Sequence, residues 1–220
     1  MSFTRRNLTA ALAITALVAA AAVSPPGFIR SAAAQDVSPV DLAKPVPLGD
    51  VVLGSANAPV TIVEYASLSC GHCAAFHSDT FPKIKAEYID TNKVRFIFRE
   101  YPLNLQAAAA SMLVRCLGKG DPNRFHEAAG VLFAAQDEWA TRDTAVRLRR
   151  IATQAGMDDN AFTACLANQA TVDALQLGME HASGKLKVDS TPTFFINSTR
   201  LKGAYPIEEF RKVIEANLKS

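Results

Sequence analysis

The stretch of sequence that decides the fold runs from Val60 to Cys73 and reads VTIVEYASLSCGHC. Its first six residues, VTIVEY, are apolar and rich in β-branched side chains, which predicts a short buried strand. A brief loop leads into the motif Cys70-Gly71-His72-Cys73, and the next residues, to about residue 88, have a helical pattern with an expected kink at Pro82. A second apolar run at 94–99, VRFIFR, predicts another strand. Strand, helix and strand in this order indicate a βαβ unit with parallel strands.

The two cysteines of this motif are the candidate redox pair, because cysteines at this spacing on a helix start can form a disulfide with each other. Cys70 is expected at the helix end, where free N–H groups and the helix dipole favour a thiolate. Cys73 lies one turn further in, where we expect it to be shielded. His72, between them, can add positive charge or a hydrogen bond to the thiolate. A low pKa on Cys70 would stabilise the reduced form and make the disulfide oxidising.

Two other interpretations of the motif stay open. One is a structural disulfide, although a loop this short constrains little of the unfolded chain. The other is half of a zinc site completed by His72 or His77, although the sequence has no second Cys-x-x-Cys motif. The position of the motif between a strand and a helix favours redox chemistry over both.

An acidic residue, Glu64, lies in the middle of the apolar strand, six residues before Cys70. A carboxylate is costly to bury there without a partner, and unusual acids cluster at functional sites. We therefore expect Glu64 to be a catalytic proton acceptor near Cys73. The structural alternative is an outward-facing side chain, or an acid paired with a lysine.

The rest of the chain has a different hydrophobic pattern. Between residues 105 and 186 the pattern is one of amphipathic helices, with no convincing strand. Strands return at 193–197 (TFFIN) and at 200–203, and a closing amphipathic helix follows, with Pro206 at its first turn. Thr191-Pro192 stands directly before the third strand, where a proline removes no hydrogen bond between strands. Taken alone, the Thr191–Pro192 peptide bond is expected to be trans. Residues 35–50 contain three prolines and are expected to form an extended arm.

Residues 1–34 have the features of an export signal. Arg5 and Arg6 precede an apolar run from residue 8 to residue 23, and the segment ends in three alanines at 32–34. We predict cleavage after Ala34 and export to the periplasm, either by the Sec route or by the twin-arginine route that the two arginines resemble. An uncleaved membrane anchor is the alternative, because the uncharged stretch is long enough to span a bilayer.

Composition excludes several classes of protein. The chain has 220 residues, of which 49% are hydrophobic and 20% charged, with a formal net charge of +2. These values are not those of a disordered, collagen-like or coiled-coil protein. Residues 35–220 carry 20 basic and 21 acidic side chains, so net charge gives no basis for nucleic-acid binding. The sequence has no glycine-rich phosphate loop, and we predict no cofactor.

The remaining cysteines, Cys116 and Cys165, lie on apolar faces of predicted helices within the 105–186 block. In an oxidising compartment, two cysteines in one packed block usually pair when their separation allows it. We therefore expect a buried structural disulfide that takes no part in turnover. The alternative is two small buried thiols.

Taken together, these motifs resemble the thioredoxin superfamily, with Cys-x-x-Cys after a strand, a helical insertion, and Thr-Pro before a hairpin and a C-terminal helix. The insertion, the glutamate six residues before the first cysteine and the export signal are similar to those of the DsbA family of exported thiol–disulfide oxidoreductases. The resemblance covers about Val51 to the C-terminus. It implies an α/β, thioredoxin-like fold with an inserted helical domain. Residues 51–104 and 187–220 would form the thioredoxin-like domain, and 105–186 the insertion.

The resemblance also implies a role for each site residue. Cys70 would be the nucleophile and Cys73 the resolving cysteine. Pro192 would be cis and face the disulfide, and Thr191 would contact the substrate backbone. The partners would be cysteine-containing exported proteins and a membrane redox protein of the DsbB type. The Gly-His pair departs from the Pro-His pair of the best-known members and occurs in protein disulfide isomerases, where a threonine before the proline is also usual.

The sequence thus predicts a periplasmic oxidoreductase that introduces disulfide bonds into exported proteins. An isomerase or reductase of the same fold, kept reduced by a membrane electron donor, shares the chemistry and stays open. The non-enzymatic alternative is a copper- or zinc-binding chaperone with Cys70 and Cys73 as ligands, which would need further soft ligands. We predict no metal site.

Overall fold

The computed structural model describes residues 37–219. The predicted export signal, residues 1–34, lies outside this part of the chain. Within residues 37–219, no helix combines the length and the apolar character that crossing a bilayer requires.

A five-stranded sheet organises the fold. Its strands are β1 (Val51–Leu53), β2 (Val60–Ala66), β3 (Val94–Glu100), β4 (Thr193–Ile196) and β5 (Thr199–Lys202), in the order β1-β3-β2-β4-β5. β2 and β3 are parallel, as a βαβ unit requires, and the other neighbouring strands are antiparallel. β2 is therefore the central strand, and six of its seven residues are buried.

The helix that follows the dithiol motif, α2, continues through four segments, Gly71–Ala75, Phe76–Thr80, Phe81–Ile84 and Lys85–Ile89. The second and fourth segments are π-helical. The first π segment ends two residues before Pro82, whose nitrogen has no hydrogen to donate to the helix. Wider turns thus accompany the predicted kink. They leave Phe76 against the sheet, with its ring centroid 4.5 Å from that of Phe194.

The block between β3 and β4 is helical. Its helices are α3 (Leu105–Gly118), α4 (Pro122–Ala134), α5 (Gln136–Trp139), α6 (Thr144–Gln154), α7 (Asp159–Leu166) and α8 (Gln169–Gly184). Polar side chains of Asn104, Asp121 and Asp158 cap three of these helices. The apolar residues Phe125 and Leu132 belong to the same hydrophobic cluster as the sheet. The block is therefore packed on the sheet and has no main core of its own.

The arm differs from the prediction of an extended segment at 35–50, because Pro39–Ala43 form a short helix, α1. The side chain of Ser38 caps this helix by accepting a hydrogen bond from the amide of Asp41. A serine cap followed by a proline in the first turn is a common start signal for a helix, and it outweighs the extended tendency of a proline-rich segment.

Two arginines hold the remainder of the arm against the body. Arg99 is only 1% exposed and donates to both carboxylate oxygens of Asp50, at 2.9 and 3.0 Å, and to the carbonyl of Lys44. Arg115 pairs with Glu100 through two nitrogens and donates to two further carbonyls in the arm. The arm is thereby fixed to β3 and α3.

The chain closes with α9 (Ile207–Leu218), which begins one residue after Pro206 rather than at it. Ile207, Phe210 and Ile214 are buried, as their spacing predicts. Phe210 lies against both Phe76 and Phe194, so this helix covers the same side of the sheet as α2.

Candidate active site

The dithiol lies where the central strand ends and α2 begins. β2 finishes at Ala66, and Cys70 occupies the N-cap position of α2 after a three-residue turn. Cys70 is 8% exposed, whereas Cys73, in the first turn of the helix, has no exposed surface. Both thiols are free. The chain thus presents one accessible sulfur at its surface and keeps the other beneath it.

Hydrogen bonds from distant parts of the chain fix the turn before Cys70. The carbonyl of Ser67 accepts from the amide of Cys70 at 3.0 Å, and the hydroxyl of Ser67 accepts from the amide of Leu103. The side chain of Gln136, at the start of α5, donates to the carbonyls of Leu68 and Cys70 at 2.6 and 3.0 Å. Neither Ser67 nor Gln136 is singled out by the sequence, because no local pattern shows which carbonyls a remote side chain will reach.

The environment of Cys70 favours its thiolate. A hydrogen bond from the Cys73 thiol is the largest cause that lowers the pKa of Cys70, to about 5, against the opposing effect of partial burial. The backbone N–H groups of Cys73 and His72 at the helix start contribute as well. Cys70 is therefore ionised at neutral pH.

The environment of Cys73 has the opposite effect. Burial is the main cause that raises the pKa of Cys73, and its hydrogen bond to Cys70 and the negative charge of Glu64 raise it further. Cys73 therefore keeps its proton at neutral pH. The two sulfurs of one motif thus differ strongly in acidity.

The loop before β4 lies opposite the dithiol. The Thr191–Pro192 peptide bond is cis, and in the thiol form the sulfur of Cys70 donates to the carbonyl of Thr191 at 3.3 Å. The carbonyl of Pro192 accepts from the amide of Gly203 at 2.8 Å, which ties the loop to the strand that follows. The backbone of residues 191–192 therefore contacts the exposed sulfur.

Glu64 is neither outward-facing nor paired with a lysine. Its side chain is fully buried in β2, between Phe98 on β3 and Phe194 on β4. Its Oε2 lies 2.9 Å from Nε2 of His77, a residue of α2 whose side chain is 6% exposed. The sequence singles out Glu64 but considers His77 only as a zinc ligand. Its position four residues after Cys73, on the same helix face, is the signal that could have linked it to the dithiol.

His72 lies between the two cysteines in the first turn of α2. Its side chain is exposed, and within residues 37–219 no hydrogen bond or ion pair holds its imidazole. The contribution to the thiolate of Cys70 comes from the backbone N–H of His72. Among the described residues, no group of three or more metal-ligating side chains comes together at the dithiol or elsewhere.

The second pair of cysteines is joined. Cys116 of α3 and Cys165 of α7 form a disulfide with an S–S distance of 2.07 Å and a Cα–Cα distance of 6.2 Å. Cys165 is buried and packs with Met112 and Leu175 in a small cluster separate from the main core. The bond links two helices of the helical block.

These features define a class of protein. A dithiol at the end of a central strand, with one thiolate, one shielded thiol and a cis-proline loop across from them, is the arrangement of a thioredoxin-fold protein that exchanges electrons between thiols and disulfides.

The comparisons with known proteins agree with this class. A family model described as thioredoxin matches residues 48–216. The crystal structure of α-DsbA1 from Wolbachia pipientis superposes with a TM-score of 0.76 and 31% sequence identity, over 83% of this chain and 96% of that one. The chain therefore belongs to the thioredoxin family and, within it, to the DsbA-type proteins.

Two further comparisons extend this picture. BdbD from Bacillus subtilis has a TM-score of 0.70 at 24% identity, over 84% of this chain and 97% of that one, which supports the fold. A protein of Rickettsia felis, named as a candidate protein-disulfide oxidoreductase, is 32% identical over 83% of this chain and 65% of its own length. The chain spans 60–66% of the length of the Rickettsia relatives it matches.

Proposed function

We propose that this chain is a periplasmic thiol–disulfide oxidoreductase that introduces disulfide bonds into exported proteins through Cys70 and Cys73. The observation that carries the proposal is the difference between the two thiols. Cys70 has a pKa of about 5, and Cys73 is buried with a raised pKa. A thiol that is ionised at neutral pH stabilises the reduced pair, so the disulfide form is a strong oxidant.

The proposed reaction has two exchange steps. A client thiolate attacks Sγ of Cys70 in the disulfide form, and Cys73 leaves with the electron pair and takes up a proton. The client's second thiolate then attacks the client sulfur of this mixed disulfide, and Cys70 leaves as a thiolate. Its low pKa makes Cys70 a good leaving group in this second step. The client gains a disulfide, and the enzyme pair gains two electrons.

The neighbouring residues have distinct roles in this proposal. The carbonyl of Thr191 lies 3.3 Å from the sulfur of Cys70, so a client joined to that sulfur would lie along Thr191 and Pro192. Glu64 is the proton acceptor and donor for Cys73. His72 supports the thiolate of Cys70 through its backbone N–H.

Location and partners follow from the same proposal. The predicted export signal at 1–34 supports a periplasmic location, where clients with unpaired cysteines arrive. The similar protein of Bacillus subtilis named disulfide bond formation protein D, 29% identical over 78% of both chains, supports a role in forming disulfides. A dithiol that has oxidised its client must be oxidised again, and a membrane redox protein of the DsbB type would supply that oxidant. The Cys116–Cys165 bond is structural in this proposal.

An isomerase or reductase is the second candidate function, favoured by the Gly-His pair at residues 71–72 and by Thr191 before Pro192. Such an enzyme works with its dithiol reduced. The redox state of Cys70 and Cys73 in the cell therefore separates the two functions.

The test combines alkylation trapping in the cell with client capture. An oxidised pair supports the oxidase, and a reduced pair overturns it in favour of the isomerase. A Cys73→Ser variant should accumulate mixed disulfides between Cys70 and exported proteins, because the resolving sulfur is gone. A matched Cys70→Ser variant should capture none. Capture by the Cys70→Ser variant alone would reverse the two roles.

A further inference from the structure

A buried pair of titratable side chains, Glu64 and His77, joins the central strand to the helix that carries Cys73. Glu64 has no exposed surface, and its Oε2 is 2.9 Å from Nε2 of His77. Because an ionised carboxylate only accepts hydrogen bonds, Nε2 of His77 is the donor in this contact. The other oxygen, Oε1, is also buried, and it has no hydrogen-bond partner among residues 37–219. One oxygen of the carboxyl group is thus held, and the other is free to exchange a proton.

The imidazole of His77 is fixed by aromatic rings from three elements. It stacks on Phe133 of α4, with centroids 4.4 Å apart and planes 17° apart. Phe81 of α2 and Phe98 of β3 lie 4.9 and 5.8 Å away. A ring packed on several sides has few rotamers to choose from, so its Nε2 stays directed at Glu64.

Cys73 depends on a protein group for its proton. Its side chain has no exposed surface, so bulk water does not reach the sulfur. The charge of Glu64 is among the causes that raise the pKa of Cys73, after burial and the bond to Cys70. Glu64 and Cys73 therefore interact electrostatically.

We propose that His77 is a positioning residue for the exchange reaction, because it holds Oε2 of Glu64 and leaves Oε1 to pass a proton to and from Cys73. This inference rests on the proposed function. When client thiolate opens the disulfide, the sulfur of Cys73 leaves with the electron pair of the broken S–S bond and takes the proton from Oε1. Glu64 is then a buried carboxylate, and the N–H of His77 offsets part of its desolvation cost.

The reverse step balances in the same way. Cys73 gives its proton to Oε1, and its sulfur attacks Cys70 in a mixed disulfide. The Cys70–Cys73 bond forms, and the bound thiol leaves as a thiolate with the electron pair. Cys73 is oxidised in this step, and the sulfur of the leaving thiol is reduced.

The other titratable group in this aromatic cluster is His126 of α4, which stacks on Phe81 at 5.4 Å. Burial, with smaller contributions from the charges of His77 and Lys85, lowers the pKa of His126 to about 3. Its two ring nitrogens are buried without a hydrogen-bond partner in the described chain. His126 is therefore neutral at working pH and provides a matched control for His77.

The experiment measures how fast Cys73 releases glutathione from a mixed disulfide at Cys70, by stopped flow between about pH 5 and pH 9. A His77→Phe variant keeps the ring and loses the donor, and we expect release to slow by about tenfold or more, with an altered pH profile. A His77→Gln variant keeps an N–H donor and should recover most of the rate. A His126→Phe variant should release glutathione at the wild-type rate.

The controls separate a lost donor from a damaged fold. In every variant, ultraviolet absorbance of the thiolate should still report a pKa near 5 for Cys70. His77→Leu is a second donor-free variant, and in a Glu64→Gln background the removal of His77 should cause no further slowing. The proposal is overturned by a wild-type pH profile in His77→Phe, or by equal slowing in His126→Phe. A wild-type protein that releases glutathione but does not oxidise a client peptide would overturn the proposed function alone.

Discussion

Reduction of the Cys70–Cys73 pair should make the stability of the protein depend on pH. In the reduced form Cys70 has a pKa of about 5, chiefly because the Cys73 thiol donates a hydrogen bond to its sulfur. A cysteine in the unfolded chain has a pKa of about 8.5. A group with a lower pKa in the folded state contributes stability that is complete above the unfolded value and is lost as the pH falls through the folded value. The reduced protein should therefore become more stable between about pH 5 and pH 8.5.

The size of this effect follows from the two pKa values of Cys70. A shift of about 3.5 pKa units corresponds to about 5 kcal/mol at most. At pH 7 the contribution is about 3 kcal/mol, and at pH 5 it falls below about 0.5 kcal/mol. Because the disulfide form has no thiol to titrate at residues 70 and 73, it is the reference against which the reduced form is compared. Burial raises the pKa of Cys73, so that thiol adds an opposite dependence only above about pH 8.5.

Urea unfolding of the reduced and the disulfide forms, followed by the fluorescence of the buried Trp139, measures this difference. We expect the reduced form to gain about 2 kcal/mol relative to the disulfide form between pH 5 and pH 7. A Cys70→Ser variant lacks the titrating thiol and cannot form the disulfide, so its stability should change with pH as that of the wild-type disulfide form does. A difference that is constant from pH 5 to pH 7, or that rises only near the ordinary thiol pKa, would refute a stabilised thiolate at Cys70.

Three other variants test separate parts of the structure. A His72→Pro variant removes the backbone N–H that supports the thiolate of Cys70, so the pKa of Cys70 should rise in an absorbance titration. A His72→Ala variant keeps that N–H and should leave the pKa near 5. An equal rise in both variants would show that the imidazole, not the backbone N–H, lowers the pKa of Cys70. A Cys116→Ala, Cys165→Ala double variant should lose about 4 kcal/mol of stability in urea, because the bond closes a loop with a sequence separation of 49 residues, and should keep its client-oxidation rate at room temperature. Loss of that rate would make the bond part of turnover. An Arg99→Met variant should lose about 3–5 kcal/mol because a nearly buried carboxylate is left unpaired, while Arg149→Met, at an exposed ion pair, should lose less than about 1 kcal/mol. Similar losses in both would show that burial does not set the difference.

The sequence predicts those elements of the fold that a local pattern of residues encodes. The runs at 60–65 and 94–99 are long and apolar enough to identify the two central strands, and the structure extends each by a single residue. β1 has only three residues, and its pairing with β3 comes from a contact across the sheet that the three residues do not specify. The π turns of α2 likewise depend on how a proline is fitted into a helix already packed on the sheet.

The residues of the site likewise fall into those that a local pattern predicts and those that it does not. Cys70 and Cys73 lie on one turn and Glu64 stands out as an acid in an apolar strand, so the sequence identifies all three. The contact between Glu64 and His77 joins a strand to a helix 13 positions later, and it depends on which face of α2 meets β2. Gln136 is further removed, since its place at the turn depends on how the helical block folds back on the sheet. Gln136, which reaches the turn only through tertiary packing, leaves no local signal in the sequence.

The helical block contacts both the turn before the dithiol and the imidazole that is bonded to Glu64. Gln136 donates to the carbonyls that shape the turn before Cys70, and Phe133 stacks on the imidazole that holds Glu64. One contact orders the backbone from which the thiolate projects, and the other orders the carboxyl group that we propose exchanges a proton with the buried thiol. Because both come from residues between β3 and β4, the turn before Cys70 and the contact between Glu64 and His77 are both linked to the packing of the same block. A change in the packing of this block on the sheet should thus alter both steps of the exchange reaction together. We would not expect such coupling if only the sheet and α2 contacted the dithiol.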